Sequence, residues 1–114
     1  MQSTTNVGQF GTRLRSLRSQ ASIGMRRLAR LAEAGPAVIY QLERGLIQRP
    51  NAELALRIAR VLGADPAYMV LGEGEPPDEA TMRAAIDAAC AADAAVRASA
   101  RAAKTQPESY EVTS

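Results

Sequence analysis

The sequence predicts an all-α protein: five short helices in one domain, followed by a long alanine-rich helix. Three observations predict it. Apolar residues recur at three- and four-residue spacing in successive segments up to Leu71, with no alternating stretch that would mark a strand. Gly, Pro, Asn and Asp punctuate those segments at helix-boundary positions. Thirteen alanines lie between positions 80 and 103, a stretch with no proline or glycine.

The opening "MQSTTN" is polar and expected to fray. Val7, Phe10, Leu14 and Leu17, with arginines between them, make residues 7 to 20 an amphipathic helix. A second helix covers 25 to 32, with Met25, Leu28, Ala29 and Ala32 inward. Gly35-Pro36 starts a third, because proline is tolerated where a helix leaves its first N–H groups unpaired. This helix is expected to run to about Arg44, with Val38, Ile39 and Leu42 as its apolar positions and Gly45 as its stop. After the loop "GLIQRPN", Asn51 can cap a fourth helix whose Leu54, Ile58, Val61 and Leu62 face inward. Asp65-Pro66 begins a fifth, short helix through Met69 and Leu71 that closes at Gly72.

The domain so defined spans 7–72, and "EGEPP" (73–77) reads as a linker. Residues 78–104 are expected to form one helix, acidic at its start (Asp78, Glu79) and basic at its end (Arg101, Lys104), which complements the helix dipole. Arg83 with Asp87 and Asp93 with Arg97 are spaced as i,i+4 pairs. Met82, Ile86, Ala89, Asp93, Val96, Ala100 and Ala103 follow the 4-3 spacing of two closely packed helices, with Asp93 as a polar interruption. Such a seam needs a partner: the same helix of a second subunit, the favoured reading, or the domain's own surface. Met82, Ile86, Ala89 and Val96 are thus the candidate dimerisation residues, and 105–114 is expected to be a loose tail.

Charge divides the chain. Residues 1 to 62 carry ten arginines against three glutamates, a net +7, whereas the remainder carries four cations against nine acids, a net −5. A basic half joined to an acidic half suggests that the first meets a polyanion. Catalytic chemistry finds few candidates. Histidine is absent and Cys90 is the one cysteine, so neither a His-assisted nucleophile nor a metal-ligand cluster can be assembled. Gly63, Gly72 and Gly74 close helices and form no phosphate-cradling pattern. No enzymatic role, cofactor or metal is expected. The lone cysteine and the lack of a signal-peptide pattern or of an apolar run long enough to span a bilayer point to a cytoplasmic protein with no membrane association.

The order of helices and four segments in register, "FGTRLRSLR", "LARLAEAGPAVIYQLERG", "GLIQRP" and "LALRIARVLGADPAYMVLGEG", resemble the helix-turn-helix domain of the Cro and phage-repressor (XRE) family over residues 10 to 72. The resemblance implies a repressor-like helix-turn-helix fold in which Leu28, Ala32, Ile39 and Leu42 lock the second helix to the third, which enters a DNA groove. It also implies a mostly buried ion pair between Arg18 and Glu43, whose disruption would cost about 3–5 kcal/mol. Pro36, Ala37, Tyr40, Gln41 and Arg44 fall at the base-facing positions. Of these, Gln41 is suited to adenine, Arg44 to guanine or phosphate, Tyr40 to a phosphate or base edge, and Ala37 to a thymine methyl.

Two departures stand out. Relatives often carry polar side chains in the first turn of the third helix, where this chain has Pro36, Ala37 and Val38. At the start of the second helix a common Ser-Gln is replaced by Gly24-Met25, which removes a phosphate-gripping glutamine. Arg26, Arg27 and Arg30 on the second helix, with Gln48, Arg49 and Asn51 after the third, are the candidate backbone contacts that compensate. The function implied is a sequence-specific transcription regulator: a homodimeric repressor of phage, prophage or bacterial origin acting on double-stranded DNA. The alternative is a protein-interaction module, such as an antitoxin or antirepressor, whose last helix binds a partner protein.

Overall fold

The computed structural model describes residues 9–104. The frayed start expected at 1–6, the helix start expected at Val7 and the tail expected at 105–114 lie outside them. Six helices follow one another among the described residues: α1 (Phe10–Ala21), α2 (Met25–Leu31), α3 (Pro36–Glu43), α4 (Ala52–Leu62), α5 (Pro66–Leu71) and α6 (Glu79–Lys104). No strand occurs among the described residues.

Local chemistry sets the boundaries. Gln9 is extended (φ −90°, ψ 150°), so α1 begins at Phe10, and Ser22 ends it in a left-handed conformation (φ +56°). Asn51 Oδ1 accepts the Leu54 N–H at 2.8 Å to start α4, and Gly63 (φ +68°) stops it. Asp65 caps α5 by accepting the Ala67 N–H at 3.1 Å, and Asp78 opens α6 by accepting the Thr81 N–H at 2.7 Å. That charge-assisted bond holds the Asp78 carboxyl below its ordinary pKa.

One core joins the first five helices. Leu14 and Leu17 of α1, Leu28 of α2, Ile39 and Leu42 of α3, Ile58 and Leu62 of α4 and Met69 of α5 are all fully buried. Each contributes roughly 1.5–3 kcal/mol by leaving water. Gly11 allows α1 to approach the end of α3: a Cβ there would lie 1.8 Å from the Leu42 carbonyl oxygen.

The sixth helix does not stand apart. Met82 is buried in the same core, and Ile86 and Ala89 pack against its edge. Gly63 makes room for it, since a Cβ there would meet the Thr81 carbonyl oxygen at 2.9 Å. Three of the four residues expected at a seam with a second subunit thus rest on the chain's own domain. The physical reason is proximity: a short connection keeps α6 at a high effective concentration beside the flank of α4. Val96 differs, being 67% exposed, and the helix is exposed from Ala94 to Ala103. Of the two expected i,i+4 pairs, Asp93 approaches Arg97 at 3.9 Å, whereas Arg83 and Asp87 make no ion pair.

Candidate nucleic-acid interface

Helices α2 and α3 are joined by Ala32–Gly35. Ala32 ends α2, and Glu33 takes a left-handed conformation (φ +57°) that reverses the chain. The Ala34 N–H returns to the Ala29 carbonyl at 2.8 Å. Gly35 is extended and Pro36 occupies the first helical position of α3. The turn is also held from outside: Arg57 of α4 donates from Nε to the Ala32 carbonyl at 2.7 Å and pairs with Glu53 at 2.8 Å. The first of these contacts satisfies a carbonyl that the end of α2 leaves without an intrahelical partner, and the second orients the guanidinium.

The far end of α3 is fixed to α1. Arg18 donates from Nε and Nη2 to the two Glu43 carboxylate oxygens at 2.6 and 3.0 Å, and from Nη1 to the Ile23 carbonyl at 3.1 Å. The Glu43 side chain is 6% exposed and the Arg18 side chain 19%. The hydrogen bonds to Glu43 hold the Arg18 guanidinium above its ordinary pKa. Together these contacts fix the axis of α3 at both ends, and Ile39 and Leu42 seal its inner side.

Its outer side carries the candidate reading residues. Pro36, Ala37, Tyr40 and Arg44 are exposed, and Gln41 is half-buried. The Arg44 guanidinium lies 5.6 Å from the centre of the Tyr40 ring, a cation–π arrangement that orders both side chains. Val38 is half-buried against the core. The Gln41 carbonyl receives the N–H groups of Leu46 (2.9 Å) and Ile47 (3.2 Å), which turns the chain into the loop bearing Gln48 and Arg49. Both of those side chains are exposed. Asn51 spends its side-chain oxygen on the α4 cap and keeps its amide donors.

The three arginines expected as backbone contacts on α2 separate into two groups. Arg26 is exposed. Arg27 donates to Cys90 Sγ at 3.0 Å, and Arg30 Nε lies 3.5 Å from Asp93 Oδ2, so both are engaged by α6. Contact with Cys90 raises the Arg27 pKa. The cause is the position of α6, which the order of residues does not reveal.

Two residues carry roles that charge counting overlooks. Arg13 is buried, and donates to the Met69 carbonyl at 2.9 Å and the Val70 carbonyl at 3.1 Å, so it braces the end of α5. Burial lowers its pKa. Arg15 is exposed and lines, with Met25, Tyr40 and Arg44, a cleft between α1, the start of α2 and α3. Its position one helical turn before Arg18 was the available signal, since residues three apart share a face.

A short helix braced at both ends, with its outer side open beside exposed arginines, defines a helix-turn-helix DNA-binding protein. A model of the helix-turn-helix domain family matches residues 9–71, more than half of the chain, and the chain belongs to that family. No curated protein and no solved structure matches it. Among the described residues no helix is long and apolar enough to cross a membrane, and no group of three or more Cys, Asp or Glu side chains could hold a metal ion.

Proposed function

We propose that the chain is a sequence-specific transcription regulator that reads double-stranded DNA with α3 and represses, as a homodimer, by occluding polymerase. The resemblance to the XRE family further suggests a phage, prophage or bacterial origin. One observation carries the reading. Ala37, Tyr40, Gln41 and Arg44 fall at i, i+3, i+4 and i+7 on one side of a helix whose other side is locked to the core. That strip offers an apolar contact, an amide, a phenol and a guanidinium within two turns. Such a set can discriminate base edges in the major groove.

Backbone contacts come from the exposed cations and amides around it. Arg26, Gln48, Arg49 and the amide donors of Asn51 flank α3, and Arg15 joins them from α1. Arg27 and Arg30 contribute to the extent that α6 releases them. No cofactor enters this mechanism, and no catalytic step is assigned. Two subunits would read half-sites about 34 Å apart. A dimer built through the 4-3 seam of α6 has the outer half of that seam available, where Val96 is exposed. The same half would serve a protein partner in the antitoxin or antirepressor alternative.

Salt titration of binding to random and genomic duplexes tests the reading. A regulator loses affinity steeply with salt and retains a preferred site against competitor. A protein-binding module has little affinity for either duplex at any salt. Arg49→Ala is expected to weaken all sequences about equally, and Gln41→Ala to relax preference at one base pair. Unchanged affinity in both variants would contradict this docking mode.

A further inference from the structure

The last helix is placed where it can compete with DNA. Arg27 and Arg30 lie three residues apart on α2, and both are held by α6, through Cys90 Sγ at 3.0 Å and Asp93 Oδ2 at 3.5 Å. Among the described residues Asp93 is the acidic side chain that pairs with Arg30, and its charge also acts on Arg27. Asp87 lies on the same side of α6 and lines the open cleft shared by Gly24, Arg27 and Cys90. Arg83 lines that cleft as well, and Asp93 is shared between Arg30 on α2 and Arg97 on α6, which it approaches at 3.9 Å.

The strength of the hold decides what it can do. The Arg30 side chain is half exposed and the Asp93 side chain 23% exposed. An ion pair so open to solvent is weak and salt-screened, and a phosphate can displace it. Meanwhile Met82 and Gly63 keep the first half of α6 seated, so Asp93 stays near the arginines. A phosphate approaching α2 meets Arg30 already paired with a carboxylate and Arg27 already bonded to the Cys90 sulfur.

We propose that α6 is a strap that competes, through Asp93 and Cys90, with the DNA backbone for Arg30 and Arg27 and sets DNA affinity below what the arginines alone would give. The inference rests on the reading that α2 flanks the duplex backbone. By linkage, DNA binding loosens the contacts of Asp93, and any factor that occupies or neutralises that stretch of α6 tightens DNA binding.

The test uses the full chain, a fluorescent random-sequence duplex and anisotropy titrations between about 50 and 200 mM salt. Asp93→Asn is expected to bind about three- to fivefold more tightly at the low-salt end and to steepen the salt slope by about one. Asp87→Asn, at an exposed position, is expected to give a smaller gain in the same direction. Glu73→Gln with Glu75→Gln removes two charges from the linker and is expected to change affinity by less than about twofold. Arg27→Ala with Arg30→Ala should cost more in the Asp93→Asn background than in the wild-type chain.

Unchanged affinity in Asp93→Asn overturns the strap, as does an equal gain from the linker variant. So does an equal arginine loss in both backgrounds. Arg49→Ala separates the two levels. If it weakens binding while Asp93→Asn strengthens nothing, only the strap fails; if it too has no effect, the docking mode fails with it.

Discussion

Helices α4 and α6 show two different ways of keeping a segment helical. The eleven residues of α4 bury six side chains, begin at a capped Asn51 and end at a left-handed Gly63. The 26 residues of α6 place one residue, Met82, fully in the core, with Ile86 and Ala89 at its margin and a fully exposed stretch from Ala94. Packing holds α4, whereas much of α6 depends on the low conformational cost of alanine. A helix of the first kind fixes the orientation of its neighbours. One of the second kind extends from the domain and can yield to a partner.

Substitutions that break this contrast should differ in size. Ile58→Ala is expected to cost about 3–5 kcal/mol in urea unfolding, because it opens a cavity among α4 contacts. Met82→Ala should cost somewhat less, about 2–3 kcal/mol, and release α6, seen as faster amide exchange along that helix while α4 keeps its protection. A global loss equal to that of Ile58→Ala would mean that α6 is as integral as α4.

Asn51→Ala removes the cap of α4 and is expected to lower stability by about 1 kcal/mol, measured by thermal unfolding. Glu33→Gly sharpens the comparison from the other direction. It relieves a left-handed non-glycine residue in the turn before α3 and should raise stability by about 0.5–1 kcal/mol. The smallest effect is expected from Ala95→Gly in the exposed half of α6. It should change global unfolding by less than about 0.3 kcal/mol while speeding local exchange.

Most of the helical order was legible because it rests on local signals. Phe10, Leu14 and Leu17 mark one face of α1, and Asn51, Gly63 and Gly72 mark helix ends, so period and capping chemistry suffice. The seam of Met82, Ile86 and Ala89 was legible as a seam, but its partner was not. The spacing is compatible with either another subunit or this domain, and the choice depends on the open side of Gly63 in space. The candidate interface divides similarly. Tyr40, Gln41 and Arg44 are candidates on the family resemblance.

The roles of individual arginines do not follow from sequence. Arg13 and Arg57 reach carbonyls 56 and 25 positions away, and Arg27 and Arg30 meet a helix about 63 positions on. Charge counting treats all of these as equivalent cations. Tertiary position makes Arg13 and Arg57 braces, ties Arg27 and Arg30 to α6, and leaves Arg15, Arg26 and Arg49 exposed.

The most direct measurement of the central claim is selection of bound duplexes from a random library by the full chain, in parallel with Gln41→Ala. The expected result is an enriched inverted repeat with half-sites about one helical turn apart, in which Gln41→Ala loses preference at one position of each half-site. Enrichment of no motif by the wild-type chain, or of the same motif with undiminished preference by both proteins, would contradict sequence reading by α3.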